Sequence, residues 1–301
     1  MPVIEHFIEK QRLGEGFKAA AQSYFVPLAE KIALHHKRAK STYYVGINGC
    51  QGSGKSTLAA FLQDYLSETK HLNVVVLSLD DFYLSQTARE QLASTVHPLL
   101  KTRGVPGTHD TGLMRKVLSD LSAQNVDLTL PRFNKALDNP FAADYWPRIQ
   151  SPVDIVIFEG WCWGVTAQHQ RELAAPVNAL EYNEDKDAVW RDYVNQQLGR
   201  HYQPLYAYMQ HWIMFQAPSF AEVFSWRAEQ ERKLAAVTPG DQMSHLMDET
   251  QIARFIQFYQ RLTEHALRTL PAHCHDVFVL NHRREILTHQ RLNHVDKVSD
   301  G

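Results

Sequence analysis

Cysteine is scarce in this chain of 301 residues. Cys50, Cys162 and Cys274 are odd in number and far apart, so neither a disulfide framework nor a thiolate metal centre is indicated, and a reducing compartment is the natural setting. Long apolar runs are missing as well. No segment approaches the roughly 18 residues of a membrane span, and Met1-Pro2-Val3-Ile4-Glu5-His6 lacks the basic stretch and apolar run of a signal peptide. A soluble, cytoplasmic protein is expected. Neither sign of charge dominates: 31 basic residues face 33 acidic ones. This balance gives no electrostatic reason for nucleic acid or an anionic membrane to be the main partner, and small molecules fit better. Internal repeats and low-complexity tracts are also lacking. The hydrophobic content of 44% is enough for a substantial core.

Against that background, residues 49 to 56 read Gly-Cys-Gln-Gly-Ser-Gly-Lys-Ser, matching G-x-x-x-x-G-K-[ST] at Gly49, Gly54, Lys55 and Ser56. Glycines in this pattern let successive backbone N–H groups turn inward around a polyphosphate. Lys55 can then reach the terminal phosphates, and the Ser56 hydroxyl can ligate Mg²⁺. The flanks agree: Tyr43-Tyr44-Val45-Gly46-Ile47 reads as a strand, and Thr57-Leu58-Ala59-Ala60-Phe61-Leu62 opens a helix whose positive end faces the anion. Cys50, Gln51, Gly52, Ser53 and Thr57 complete the expected nucleotide-binding set.

Strand-like runs recur at 43–48, 73–79, 153–158, 211–216 and 276–280, with helical segments between most of them. Near-continuous apolar strands separated by helices predict an α/β fold with a mostly parallel sheet covered on both faces, whose ligands sit beyond the carboxyl ends of the strands. Residues 1–40 are expected to form an N-terminal helical appendage ending in a solvated basic run, and 41–301 the main domain. Helices are expected near 187–200, at 219–237 and at 246–269. The last carries an aromatic and aliphatic stripe, Phe255 and Tyr259 included, that reads as a core face.

Polar groups gather after the apolar runs. Ser78-Leu79-Asp80-Asp81-Phe82-Tyr83 sets two carboxylates at a strand end, pointing apart if extended, and one of them is a candidate base for a substrate hydroxyl. Ile155-Val156-Ile157-Phe158 runs into Glu159, in the manner of a Walker B element approaching Mg²⁺. The loops Arg103–Asp110 and Leu130–Lys135 offer Arg103, His109, Asp110, Arg132 and Lys135 for an anion or polyol, and Asp110 also suits the cap of the following helix. Arg227, on a charged helix, is a candidate to close over the phosphates. His273-Cys274-His275 is too tightly spaced for a familiar zinc pattern.

Taken together, Gly49–Thr57, Leu79-Asp80-Asp81-Phe82-Tyr83-Leu84, Arg103–Asp110, Pro131-Arg132-Phe133-Asn134-Lys135 and Phe158-Glu159-Gly160-Trp161-Cys162 resemble the P-loop kinase group that includes pantothenate kinase, uridine kinase and phosphoribulokinase. The likeness is greatest to the D-glycerate 3-kinase-like branch. The resemblance implies a P-loop NTPase three-layer fold, ATP and Mg²⁺ as cofactors, Asp80 as catalytic base with Lys55 and Glu159 beside it, and Asp81 and Tyr83 supporting the acceptor. It further implies a small-molecule kinase acting on a hydroxyl of a small acid or polyol, D-glycerate first. Pantothenate, a nucleoside or a sugar phosphate are alternative acceptors, and a regulatory ATPase without an acceptor is the alternative in kind. Plant-like members of the branch follow the Pro-Arg-Tyr-Asn-Lys-Ser-type segment with an arginine-bearing stretch, whereas Ala136–Trp146 here contains none. Either Arg103, Arg132 or Lys135 supplies the missing charge, or the acceptor is another small hydroxylated metabolite.

Overall fold

The computed structural model describes residues 2–235 and 247–292. Ten strands occur in this range: β1 (Tyr43–Gly49), β2 (Val74–Ser78), β3 (Leu128–Thr129), β4 (Phe133–Asn134), β5 (Asn139–Pro140), β6 (Arg148–Ile149), β7 (Ile155–Gly160), β8 (His211–Gln216), β9 (Asp276–Leu280) and β10 (Ile286–Arg291). Six of them form the central sheet in the order β10-β9-β8-β1-β7-β2. All neighbours in it are parallel except β10, which returns antiparallel on β9. The five strand-like runs of the sequence are its five parallel strands. β10 was not anticipated, because its alternation of half-buried and exposed residues carries little apolar signal.

Strands β1 and β7 lie side by side in the interior of the sheet and are buried along their whole length, which is why they read as unbroken apolar runs. Their side chains alternate between two cores. Val45, Ile47, Ile155 and Ile157 face the helix Lys55–Lys70 and the N-terminal helices, whereas Tyr44, Val156 and Phe158 face a core built with Met114, Leu118, Trp190 and Phe258. The result is the three-layer arrangement expected from the sequence. The helices Val189–Gln197, Ala221–Ala235 and Glu249–Thr269 match the expected ones; residues 236, 237 and 246 of the expected spans lie outside the described residues.

The N-terminal helices are built into the first of these cores. Ile4, Phe7, Phe25, Leu28 and Ile32 are buried there, and the Phe25 ring meets Phe17, Phe61, Phe215 and Phe278 at centroid distances of 5.7, 6.0, 6.2 and 5.8 Å. The helix Val26–Ala39 ends with His36, Lys37 and Arg38 in its last turn and Lys40 in the left-handed conformation, so the basic run occupies the dipole's negative end. Phe25→Ala is expected to cost about 3–5 kcal/mol of unfolding free energy, read from denaturant melts. A loss under about 1 kcal/mol would mean that these helices do not share the cooperative core.

Candidate active site

Beyond the carboxyl ends of β1, β2 and β7 lies a cavity of about 260 Å³ lined by Gln51, Gly52, Lys55, Ser56, Ser78, Asp80, Tyr83, Arg103, Lys135, Glu159, Trp161, Arg227, Phe255 and Tyr259. Two larger hollows lie elsewhere, one beside the helix Thr111–Ser122 and one on the N-terminal helices, and neither gathers comparable chemistry.

The floor is the loop between β1 and the helix Lys55–Lys70. Gly52 and Gly54 have φ of +79° and +97°, and a Cβ on Gly52 would come within 2.7 Å of Trp226 Cβ. The loop therefore has glycine where its backbone must turn left-handed and where it is pressed on the helix Ala221–Ala235. Gly54 sits at the N-cap position, so the amides of the first helical turn open towards the cavity. Thr57 is the third residue of that helix, Gly49 closes β1, and Cys50 is buried, which pushes its thiol up to about 12.

Lys55 and Ser56 meet Glu159 from the neighbouring strand. The Ser56 hydroxyl donates to Glu159 Oε1 at 2.8 Å, and Lys55 Nζ is 3.7 Å from Oε2. Burial alone would lower the Lys55 pKa, but the carboxylates of Glu159 and Asp80 outweigh it and hold the ammonium above its ordinary value. Glu159 Oε2, Ser53 Oγ and Gln51 Oε1 are buried without a hydrogen-bond partner. A hydroxyl, an acid with an unmatched oxygen, a charged lysine and a helix N-terminus form a donor set that fits a polyphosphate with its divalent cation.

Asp80 and Asp81 are not in a strand: β2 ends at Ser78, and the two acids lie in the 3₁₀ turn Leu79–Phe82, where the Asp80 amide donates to the Ser78 side chain. They still separate. Asp80 accepts from the Tyr83 hydroxyl at 2.9 Å and from Lys135 Nζ at 2.5 Å. Asp81 accepts from Arg132 Nη1 at 3.2 Å and from the Phe133 amide at 3.4 Å, which pins the strand β4 to the turn. Burial works against the charge on Asp80, yet Lys135 first, then Lys55 and Tyr83, bring its pKa down to about 2. For Asp81, burial exceeds the help from Arg132 and its pKa is raised. The sign for Asp80 is that of a depressed carboxylate: its contribution to stability is present above the unfolded value and is lost as pH falls from about 4 towards about 2.

On the far wall, Arg103 lies over the Phe133 ring at 5.6 Å and pairs with Asp138, which also binds the buried Arg89 at 2.7 Å. The arginine-free stretch after Lys135 thus provides an acid that holds Arg103. The turn behind Arg103 is clamped: Trp161 Nε1 donates to Gly104 O at 2.9 Å, and the Tyr259 hydroxyl donates to Arg103 O at 3.3 Å. Arg227 pairs with Glu231 and lies 5.6 Å from the centre of the Phe255 ring.

His109 is buried just behind the wall, stacked on Tyr83 at 4.5 Å. Burial lowers its pKa to about 3, so the ring is neutral. Tyr202 Oη accepts from the Gly107 amide at 3.1 Å and lies 2.7 Å from His109 Nδ1, while Nε2 has no partner. With the tyrosine donating to Nδ1, the ring proton sits on the partnerless Nε2. Asp110 caps the helix Thr111–Ser122 through the Leu113 amide at 2.8 Å and is exposed. Among the expected acceptor residues, then, Tyr83, Arg103 and Lys135 line the cavity, whereas Asp81, His109, Asp110 and Arg132 do not. Phe255 and Tyr259 line it although their stripe reads as a core face. The one signal against that reading is a tyrosine hydroxyl amid otherwise apolar positions.

No family model matches the chain. It is 28% identical over 232 residues to the chloroplastic D-glycerate 3-kinase of Arabidopsis thaliana, a match covering 71% of this chain and 48% of that protein; the chain spans about half the length of this relative. It is 28% identical over 262 residues to an uncharacterised kinase of Schizosaccharomyces pombe, covering 82% of this chain and 91% of the relative. Among solved structures, D-glycerate 3-kinase from Cryptococcus neoformans superposes with a TM-score of 0.74 at 25% identity, over 90% of this chain and 99% of the other. The fold is that of the P-loop kinases, and the sequence resembles the D-glycerate 3-kinase-like branch.

Gly104 has φ +141°, and a Cβ there would meet Tyr259 Oη at 2.3 Å. Gly104→Ala is therefore expected to lose about 1–3 kcal/mol and to disturb the environment of Trp161, read by denaturant unfolding and tryptophan fluorescence. An unchanged midpoint with an unchanged spectrum would show that the clamp on the Arg103 turn does not constrain the backbone.

Proposed function

We propose that this protein transfers the γ-phosphoryl group of ATP to a hydroxyl of a small hydroxy acid, with D-glycerate as the acceptor. The observation that carries the reading is Asp80, an ionised carboxylate beside Lys55 and across one small cavity from Ser56 and Glu159. A nucleotide switch without an acceptor has no use for a proton-accepting acid at that point. The likeness to two D-glycerate 3-kinases supports the acceptor class. The three buried, unpaired cysteines agree with a reducing, cytoplasmic setting, and no helix among the described residues is long and apolar enough to cross a membrane.

Mg·ATP, when bound, supplies the phosphoryl group and the metal charge that neutralises it. Lys55 and the loop amides hold the phosphates, and Ser56 and Glu159 hold the cation. Asp80 accepts the proton of the attacking hydroxyl. Arg103 and Lys135 face the same cavity and orient the acceptor's carboxylate, with Arg132 and Asp81 fixing the strand β4 that precedes Lys135. Tyr83 holds Asp80 in place through its hydroxyl, and His109 supports the Tyr83 ring. Arg227, paired with Glu231 on the helix Ala221–Ala235, also lines the cavity and would approach the phosphates from that side. Positioning and charge are the main sources of acceleration in this chemistry.

Purified protein given Mg·ATP and a panel of D-glycerate, pantothenate, uridine and ribulose 5-phosphate is expected to yield ADP and phosphorylated glycerate. ADP release that ignores every acceptor would overturn the reading in favour of a regulatory ATPase. In the same assay Asp80→Asn is expected to lower kcat by about 10²- to 10⁴-fold while ATP affinity, measured by calorimetry, stays near wild type. Retained turnover would remove Asp80 from the proton-accepting role.

A further inference from the structure

Every acceptor-side cation in the free protein is already answered by an acid: Arg103 by Asp138, Arg132 by Asp81 and Lys135 by Asp80. Only in the last pair is the acid the proposed base. We propose that Lys135 makes the reaction selective for anionic acceptors, because it masks Asp80 until an acceptor carboxylate draws its ammonium away. The inference rests on the phosphoryl-transfer reading above and adds to it a residue that couples the acceptor's charge to the strength of the base.

The geometry suits a displaceable mask. Lys135 follows β4 at the tip of the β4–β5 hairpin, where the Asn134 side chain accepts from the amides of Ala136 and Leu137 at 3.0 and 3.1 Å and shapes the turn. The far side of the same turn is anchored, since buried Arg89 donates to Asp138 O at 3.0 Å and pairs with its carboxylate. At the tip, the Lys135 side chain is 61% exposed and Asp80 35% exposed. A pair this exposed is screened by solvent and readily exchanged, so a carboxylate entering between Lys135 and Arg103 can compete with Asp80 for the ammonium. Lys55, at 16% exposure and held by Glu159, does not leave in the same way.

The charges facing Asp80 fix the sign of the effect. Lys135 from the hairpin and Lys55 from its helix favour the anion, as does the Tyr83 hydroxyl, whereas burial and neighbouring Asp81 oppose it. His109 is neutral, and Tyr259 and Cys162 are held protonated by burial. Removing Lys135 subtracts the foremost group favouring the anion and strengthens the base. A carboxylate held far below working pH accepts a proton poorly, and one brought closer to it accepts better. In the step itself the acceptor oxygen bonds to the γ-phosphorus, its proton passes to Asp80, and the bond to the bridging oxygen breaks with its electron pair remaining on ADP.

The test compares D-glycerate with glycerol, its neutral three-carbon counterpart, for the full chain and for Lys135→Gln and Lys135→Arg at saturating Mg·ATP. Wild type is expected to favour glycerate by at least about tenfold in kcat. In Lys135→Gln, KM for glycerate rises while kcat/KM for glycerol increases about three- to tenfold, and Lys135→Arg restores the wild-type preference. A purely structural or purely anion-binding lysine would not raise turnover of the neutral acceptor. The proposal is overturned if Lys135→Gln leaves glycerol turnover unchanged or lowers both acceptors in proportion. Should wild type ignore glycerate but phosphorylate another acid of the panel, the glycerate reading fails, and the Lys135 effect is read on that acid and its neutral alcohol. Phosphorylation of neutral acceptors only, or of none, overturns the Lys135 proposal outright.

Discussion

A protonated lysine at the floor of a cavity persists only where acids answer it, and the contact of Lys55 with Glu159 is the constraint on which the rest of the site depends. At about 4 Å and an effective dielectric near 20, the attraction is of order 4 kcal/mol, and together with that of Asp80 it outweighs the desolvation that lowers the pKa of the amine. The sheet makes the meeting possible. β7 lies beside β1, with Ile47 opposite Glu159 in the parallel register, so the acid rises next to the loop that follows β1. β2 is next in the sheet, and its Ser78 pairs with Glu159, which brings the turn bearing Asp80 to the same rim. Three consecutive strand ends thus converge on one small volume, as the positions of ligands on doubly wound sheets require.

That convergence explains what could be read in advance. The five parallel strands were legible because strands covered on both faces must be apolar throughout, and the residues that interrupt them must then be the ones at their ends. The phosphate loop was legible for a different reason: glycine at 52 and 54 is demanded by backbone geometry, independent of its surroundings. Asp80 and Asp81 were separable on an assumption about extended backbone that does not hold, since both lie in a 3₁₀ turn. The turn nonetheless sends one carboxylate to Lys135 and the other to Arg132.

The aromatic wall was not legible. On the helix Glu249–Thr269, Ile252, Ile256, Phe258 and Leu262 pack into the cores, while Phe255 and Tyr259, within the same stripe, also reach the cavity. Helical periodicity says which face is apolar but not which part of that face overhangs a ligand, because this depends on the crossing of one helix over strands distant in sequence. The hairpin β4–β5 was equally hidden: two-residue strands have no periodicity, and the hairpin's place is set by Arg89 and Asp81, which belong to other segments.

The cations on the acceptor side pose a different problem from Lys55. A buried pair such as Lys55 and Glu159 loses heavily if either member leaves, whereas Lys135, 61% exposed, and Asp80, 35% exposed, form a pair that exchanges at less cost. Strong and weak pairing are therefore distributed by task. On the proposed reading, the groups that would hold the polyphosphate have buried partners, and Lys135, which would meet the acceptor, is answered by an acid that the incoming carboxylate can replace. Such an arrangement keeps an open, highly charged cavity from repelling itself in the absence of ligands. If Lys135 acts as proposed, it also lets an acceptor be recognised by the same charge that it releases, so that selectivity would come from the exchange of ion pairs and not from a cation left unpaired to wait for it.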